Sequence, residues 1–337
     1  MLTITLLKEH EEGRWKSENQ EGLPEEIAKN QVLWVDAQNP TDSEMKELEN
    51  YFGIDEHNLR ELTEEAVRSR IDEHEDRMFC FLNYPNRESF VSDGKMERLA
   101  LLVCSSWILT LHKGYSDLTC EVYKKIGTHG YFSLSLVPST DIMLYIFLDM
   151  ATSEYYPVSD AVSEKVNSLN LDALRFFRRD TKPTGRSFAA EIVKVRERLV
   201  ALRQSLSPLR EIMGRITRGE FALVKGANLP RFADIYDRVI QLVEVVDSYR
   251  DDMVNIRDTL VNAQTVTTNN VIRILTIISA IFLPLTLIAG IWGTSFETGI
   301  PGAKDPYGFY IMIVAMIAVA STLTLLFVRA GWLRTSS

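Results

Sequence analysis

Seven positions near the C-terminus, Ile272, Thr276, Ser279, Leu283, Thr286, Gly290 and Gly293, recur at alternating steps of four and three residues. On an α-helix that spacing places them in one stripe, small or hydroxyl-bearing except at Ile272 and Leu283. Small residues let helices approach closely, and hydroxyls can face water or satisfy backbone groups that Pro284 sets free. Two arrangements suit such a stripe: a water-lined path enclosed by several copies of the chain, or close helix packing with no path. A second set is acidic: Asp234, Asp237, Asp247, Asp251, Asp252 and Asp258 lie just upstream. Symmetry about an axis would turn any inward-facing one into a ring. Hard divalent cations take oxygen ligands and Mg2+ holds on to its water shell, so carboxylate rings can hold hydrated ions. Taken singly, most of these aspartates are ordinary solvated helix charges.

Catalysis finds little support. The five histidines, His10, His57, His74, His112 and His129, are scattered, with no HExxH and no Ser/His/Asp arrangement. The stretch TKPTG (181–185) lacks the Gly-Lys-Ser/Thr order of a phosphate loop. Cys80, Cys104 and Cys120 have no metal-ligand spacing and fit unpaired thiols in a reducing compartment. A net charge of −9 argues against a nucleic-acid partner.

Two uncharged runs must carry the stripe. No charged side chain falls between Ile274 and Phe296, nor between Pro306 and Val328. Each is long enough to cross a hydrocarbon core of about 30 Å as a helix, and the short loop between them makes a membrane hairpin. The N-terminus, MLTITLLKEHEEGRWK, does not read as a signal peptide, so residues 1–270 are expected in the cytosol. Arg273 precedes the first run and Arg329 and Arg334 follow the second, whereas the loop holds Glu297, Lys304 and Asp305. Positive charge outside the hairpin places both ends in the cytoplasm.

Upstream, LTITLLK (2–8), QVLWVDA (31–37), RMFCFLNYP (77–85) and ERLALLVCSSWILTLHKG (97–114) read as strands. TDSEMKELENYFG (41–53) reads as a helix, with Thr41 or Asp42 as N-cap and Gly53 past its end. ELTEEAVRSR (61–70) reads as a solvated helix face. From about residue 141 the chain turns helical, interrupted at Pro157, and a helix over 187–219 stops at Gly219. Ile235, Val239, Leu242, Val246, Tyr249, Met253, Ile256 and Leu260 then hold a 3.5-residue repeat, the mark of a seam packed against other helices. No glycine or proline separates this seam from the first uncharged run. One helix over about 232–292, on the order of 90 Å at ~1.5 Å per residue, is the simplest reading. A break near NAQTVTTNN (262–270) is the alternative, because those residues have weak helix propensity.

NNVIRILTIISAIFLPLTLIAGIWGTSFE (269–297) resembles the first membrane span of the CorA-type divalent cation transporters, the two-span Gly-x-Asn superfamily. RFADIYDRVIQLVEVVDSYRDDMVNIRD (231–258) is similar to the family's stalk. EYYPVSDAV (154–162) and RQSLSPLREI (203–212) are similar to its funnel helices, and IDEHEDRMFCFLNY (71–84) to its α/β domain. The resemblance implies an α+β membrane protein: a cytosolic α/β funnel domain and a long stalk helix continuing into a two-helix transmembrane hairpin, assembled as a homopentamer in the inner membrane. The divisions expected are an α/β domain over 1–140, helical funnel over 141–230, stalk over 231–270, pore-lining span over 271–293, periplasmic loop over 294–308, outer span over 309–328 and cytosolic tail over 329–337. By position, Asn269 matches a pore-entrance asparagine, Thr286 a pore-facing threonine, and Ile272 and Leu283 apolar constrictions. Thr276 shares their stripe. Asp258 matches an aspartate ring at the funnel base and Asp234 a regulatory inter-subunit metal site. Glu297 and Asp305 would draw cations to the mouth.

The mouth departs from the family. Where Gly-Met-Asn is usual, this chain has Gly293, Thr294 and Ser295. A serine hydroxyl is shorter than a carboxamide, so a ring of them is wider and presents no fixed carbonyl acceptors. The loop TGIPGAKDPYGF (298–309) is more similar to the family's zinc-transporting branch. The expectation is therefore divalent metal transport with Zn2+ favoured. The alternatives are a Mg2+/Co2+ channel, or a metal-sensing membrane scaffold that does not transport. No resident cofactor is expected. The expected partners are further copies of the chain, membrane lipid and divalent cations.

Overall fold

The computed structural model describes residues 1–10, 14–54, 68–74, 76–126, 138–177, 185–294 and 307–332. The chain divides into a larger unit, Met1–Arg175 with Thr181–Ile256, and a smaller one that takes Arg257–Ser337.

The larger unit is built on a mixed sheet of β1 (Leu2–His10), β2 (Arg14–Gln20), β3 (Gln31–Gln38), β4 (Arg70–His74), β5 (Arg77–Pro85), β6 (Met96–Val103) and β7 (Trp107–His112). Their order is β2-β1-β3-β7-β6-β5-β4. Every adjacent pair is antiparallel except β3 and β7, which run parallel and join the two halves. β5 and β6 are near-continuous apolar runs because both of their faces are covered. On one face α1 (Asp42–Phe52) packs Leu48 and Phe52 onto Leu33, Val35, Leu102 and Leu109. Thr41 caps α1: its hydroxyl accepts from the Glu44 amide, and the Glu44 carboxylate accepts from the Thr41 amide at 2.8 Å. Gly53 closes the helix in the left-handed conformation, φ 60°.

Two short helices, α2 (Arg87–Asp93) and α3 (Asp117–Ile126), and two strands, β2 and β4, lie outside the expected set. β2 and β4 are the sheet's edges and carry polar, charged sequences, so neither shows the apolar run by which a strand is read. Of the expected solvated helix at 61–70, residues 61–67 lie outside the described residues. Ser69 is buried and Arg70 opens β4, so the end of that stretch is not helical.

The other face is covered by α4 (Thr140–Ser153), buried nearly all round, with Phe147 edge-on to Trp34 at 5.6 Å. α5 (Tyr155–Phe177) comes directly after it. The break falls at Glu154, not at Pro157, which sits inside the first turn of α5. A continuous helix would have bonded residue 157's amide to the Ser153 carbonyl. Proline has no such amide and crowds that carbonyl, so the break comes before it.

Three residues one turn apart on α4 grip the chain over 225–238. Asp141 accepts from the Lys225 amide at 3.1 Å and from Asn228 Nδ2 at 2.8 Å. Tyr145 packs edge-on against Phe232, and Asp149 pairs with Arg238. Phe232 and Arg238 belong to α7 (Leu229–Trp292), a single helix of 64 residues with no break at 262–270. α6 (Gly185–Thr217) runs antiparallel to it: Arg203 pairs with Asp247 at 2.8 Å, and Gly214 lies against the Tyr236 ring. The 3.5-residue seam is thus occupied within the one chain. Ile235, Val239, Leu242, Val246, Met253 and Ile256 are buried, and Tyr249 and Leu260 half-buried.

The smaller unit contains the rest of α7 and α8 (Gly308–Arg329). Both helices are long and apolar enough to cross a membrane, and only 6% and 0% of their apolar windows are buried. A core helix of a soluble domain would be covered by its own chain. These are not.

Candidate conduction site

Along the last six turns of α7 and just past its end the stripe is bare. Ile272, Thr276, Ser279, Leu283, Thr286, Gly290 and Gly293 are all exposed, Leu283 at 71%. The covered positions, Arg273, Ile277, Ala280, Ile281, Pro284, Leu285, Ile288 and Trp292, are half-buried or, at Ile277, buried. At 3.6 residues per turn they fall on the opposite side of the helix. There Arg273 donates from Nε to the Trp332 carbonyl at 2.6 Å and from a terminal nitrogen to the Gly331 carbonyl at 3.3 Å. These carbonyls close the C-terminal end of α8, where a helix gathers negative partial charge. One side of α7 is therefore tied to α8 while the stripe is left free. An arginine at the edge of an uncharged run is a visible signal in the sequence; its partners are not.

The two threonine hydroxyls on the stripe are turned onto their own helix. Thr276 Oγ1 donates to the Ile272 carbonyl at 2.8 Å and Thr286 Oγ1 to the Phe282 carbonyl at 2.7 Å. Thr294 Oγ1, just past the helix, donates to the Ile291 carbonyl at 2.7 Å. Thr322 and Thr324 of α8 do the same, so the bond itself is general for threonine in an apolar helix. What sets Thr276 and Thr286 apart is their alignment with Ser279 on one face. With its proton committed, each threonine offers only oxygen lone pairs outward.

Asn269 is exposed, one turn before Ile272 and Arg273. Gly293 packs tightly, since a Cβ there would lie 3.1 Å from the Ala289 carbonyl oxygen. Ser295, Glu297 and Asp305 lie outside the described residues. Asp234 and Asp258 are both exposed and stand far apart along α7. Asp258 pairs with its chain neighbour Arg257 at 3.2 Å. Among the described residues no group of three His, Cys, Asp or Glu side chains could hold a metal ion. One chain therefore brings together the hydroxyl stripe and not the carboxylates.

The model of the CorA-like Mg2+ transporter protein family matches residues 29–329, nearly the whole chain and all of α7 and α8. The chain belongs to the CorA family. That family moves divalent metal cations across membranes and is one of transporters, not enzymes. The cobalt/magnesium transport protein CorA of Thermotoga maritima is 25% identical over 283 residues, covering 84% of this chain and 78% of its own. The zinc transport protein ZntB of Pectobacterium carotovorum is 25% identical over 182 residues, 54% of this chain and 52% of its own. Among solved structures, the CorA magnesium transporter of Methanocaldococcus jannaschii superposes with a TM-score of 0.81 at 21% identity, covering 98% of each chain. Full-length CmaX superposes with a TM-score of 0.74 at 17% identity, covering 98% of this chain and 97% of its own. The α+β fold with its long helix and two C-terminal apolar helices is thus the fold of complete CorA and CmaX chains.

Proposed function

We propose that this CorA-family chain forms a homopentamer in the inner membrane, both termini in the cytoplasm, and passes divalent cations along an axis lined by α7. The observation that carries this reading is the bare stripe from Ile272 to Gly293, opposite the side tied to α8. A hydrated cation presents water protons outward, and the lone pairs of Thr276 and Thr286 are suited to accept them without stripping the shell. Leu283 would close a ring of apolar side chains between the hydroxyl levels of Ser279 and Thr286, Ile272 would close another before Thr276, and Asn269 would stand at the inner entrance. Asp258 and Asp234, which belong to no group of three metal-ligating side chains among the described residues of one chain, would gain a full metal-binding set only across subunits.

Zn2+ is the favoured cargo, on the strength of the Gly293-Thr294-Ser295 mouth and the loop with Glu297 and Asp305. Mg2+ or Co2+ is the second reading, because the cobalt/magnesium relative matches far more of the chain than the zinc transporter does. Purified protein in liposomes with a metal-sensitive dye tests both: Zn2+ influx exceeding Mg2+ influx is expected. Ser295→Asn is expected to raise Mg2+ flux at least several-fold. Absence of flux for every divalent ion, with Ser295→Asn equally silent, would sink transport and leave a metal-sensing scaffold.

A further inference from the structure

A cavity of about 390 Å³ lies in the larger unit, between the sheet and α3. Its floor is a contiguous tile of paired strand positions: Thr3 faces Asp36 across β1 and β3, and Thr5 faces Trp34. Asp36 in turn pairs with Thr110 of β7. On the same sheet face, Leu7, Val32 and Ile108 are apolar and buried. Polar residues at this depth gain nothing for packing, since a buried polar group costs stability unless it is bonded.

The tile also lies next to the place where ligands gather in α/β sheets. β3 and β7 are adjacent and parallel, yet the helices that succeed them lie on opposite faces. α1 packs on the side of Leu33 and Val35, while Tyr123 of α3 packs against Trp34 at 6.1 Å on the other. Such a reversal opens a crevice beyond the carboxyl ends of the strands, and the tile lies within the strands on the α3 side of it, with Tyr115, just past β7, between the two. Here the two exits are knitted together, Gly114 donating its amide to Asn39 Oδ1 at 3.0 Å. Gly114 adopts φ +74°, which suits glycine.

The walls and floor specify a ligand. Trp34 is held from behind by Phe147 and by its indole N–H, which donates to Thr110 Oγ1 at 3.1 Å. Tyr123 is held by its hydroxyl, which donates to Asn19 Oδ1 at 2.6 Å. Tyr115, 66% exposed, stands at the opening. The Thr110 hydroxyl donates to one Asp36 oxygen and His112 Nε2 lies 3.3 Å from the other. A carboxylate has about four acceptor positions, so oriented lone pairs remain for a ligand. One aromatic ring fixed by its hydroxyl, a second exposed at the opening, and a fixed carboxylate beside them suit a flat ring with N–H groups on its edge.

We propose that this crevice binds a purine-type base, its ring against Tyr115 and Tyr123 and its N–H edge on Asp36, with Lys124 at the rim and the buried Trp34 backing Tyr123. The site is separate from the conduction stripe, and its test does not depend on transport. Full-length protein in nanodiscs is titrated calorimetrically with guanosine, adenosine and 1,3,7-trimethylxanthine, a purine with no N–H group on the ring or outside it. Saturable binding of guanosine or adenosine is expected at tens of micromolar, on the order usual for ligands of that size. Trimethylxanthine should bind at least tenfold more weakly. Tyr115→Ala removes an exposed side chain and should weaken binding about tenfold without unfolding. Asp36→Asn should weaken it further and erase the preference over trimethylxanthine. If Asp36→Asn does not fold, Tyr115→Ala and the trimethylxanthine comparison decide. No saturable binding at millimolar nucleoside, equal binding of trimethylxanthine, or indifference to Tyr115→Ala would overturn the proposal.

Discussion

The two units satisfy their polar groups by opposite rules. In the larger unit apolar side chains turn inward and buried polar groups pair with one another across the fold. Asp141 holds Asn228, Asp149 holds Arg238, and Tyr155 and Ser205 both donate to the Asn83 carbonyl, at 2.7 and 2.9 Å. In the smaller unit Leu275, Phe282, Leu283, Leu287, Phe309 and Val314 are each more than 60% exposed. Hydroxyls there bond to the carbonyl one turn back. Water can complete an unfinished hydrogen bond and hydrocarbon cannot, so a helix facing lipid must close its polar groups on itself. The difference marks where the chain's own interior ends and where lipid or another copy must supply the surroundings.

That contrast predicts where a polar substitution hurts the fold. Arg238→Met leaves the Asp149 carboxylate, about 4% exposed, buried without the guanidinium that balances its charge. The expected loss is about 3–5 kcal/mol, read as a large drop in the melting temperature of the full-length protein. Adding Asp149→Leu should recover most of it, since removing both charges is far cheaper than removing one. A melt unchanged by Arg238→Met would show that the grip of α4 on α7 does not rest on this pair.

In the smaller unit the order reverses, with function more sensitive than stability. Thr286→Val keeps the shape of the side chain and removes a hydroxyl that bonds its own backbone. Stability should change by less than about 0.5 kcal/mol, the usual range for a position outside a packed core. If α7 lines the path, divalent flux in liposomes should fall about tenfold, equivalent to ~1.4 kcal/mol in the barrier. Thr322→Val on α8 should leave flux unchanged, and equal losses at both sites would remove the distinction between lining and outer helix.

Legibility in the sequence divides along the same boundary. The uncharged runs, the 3.5-residue seam and the hydroxyl stripe could all be read directly, because each is a local periodicity on one long helix. α1 was equally plain, its start written in Thr41 and Glu44 and its stop in Gly53. β2 and β4 were not, because an edge strand shows a partner on one side only and tolerates charge. The seam itself was legible as a packing face without saying whose helix fills it, and α6 of the same chain does much of the filling. Nor could spacing show that Asp141, Tyr145 and Asp149 meet residues more than 80 positions away. The mouth residue Ser295 stands out only through the family resemblance, in the place of an asparagine, and lies outside the described residues.

The smallest effect concerns charge that the larger unit leaves only partly relieved. Glu154 lies at the break between α4 and α5, half-buried, and burial first, then the charges of Asp117, Glu97 and Glu121, push its carboxyl above the usual range. Lys125 offsets this only in part. Glu97 is raised in the same way, burial again foremost, although the Tyr84 hydroxyl on its Oε2 at 3.0 Å pulls the other way. A carboxyl raised on folding binds its proton more tightly in the folded chain. Its contribution to stability is therefore fully present below the ordinary value of 4.5 and is lost as pH climbs through the folded value. The amide of Glu154→Gln cannot ionise, so relative to the unsubstituted protein this variant should gain nothing near pH 4 and its full advantage at pH 7.5. Discounted for solvent screening at a half-exposed site, that advantage is about 0.5 kcal/mol, or roughly 1–2 °C in Tm. The uncharged stretch from Ile274 to Thr294 has no group to contribute to such a slope. A gain of equal size at both pH values would mean that the introduced amide packs better rather than relieving charge, and the comparison would lose its electrostatic half.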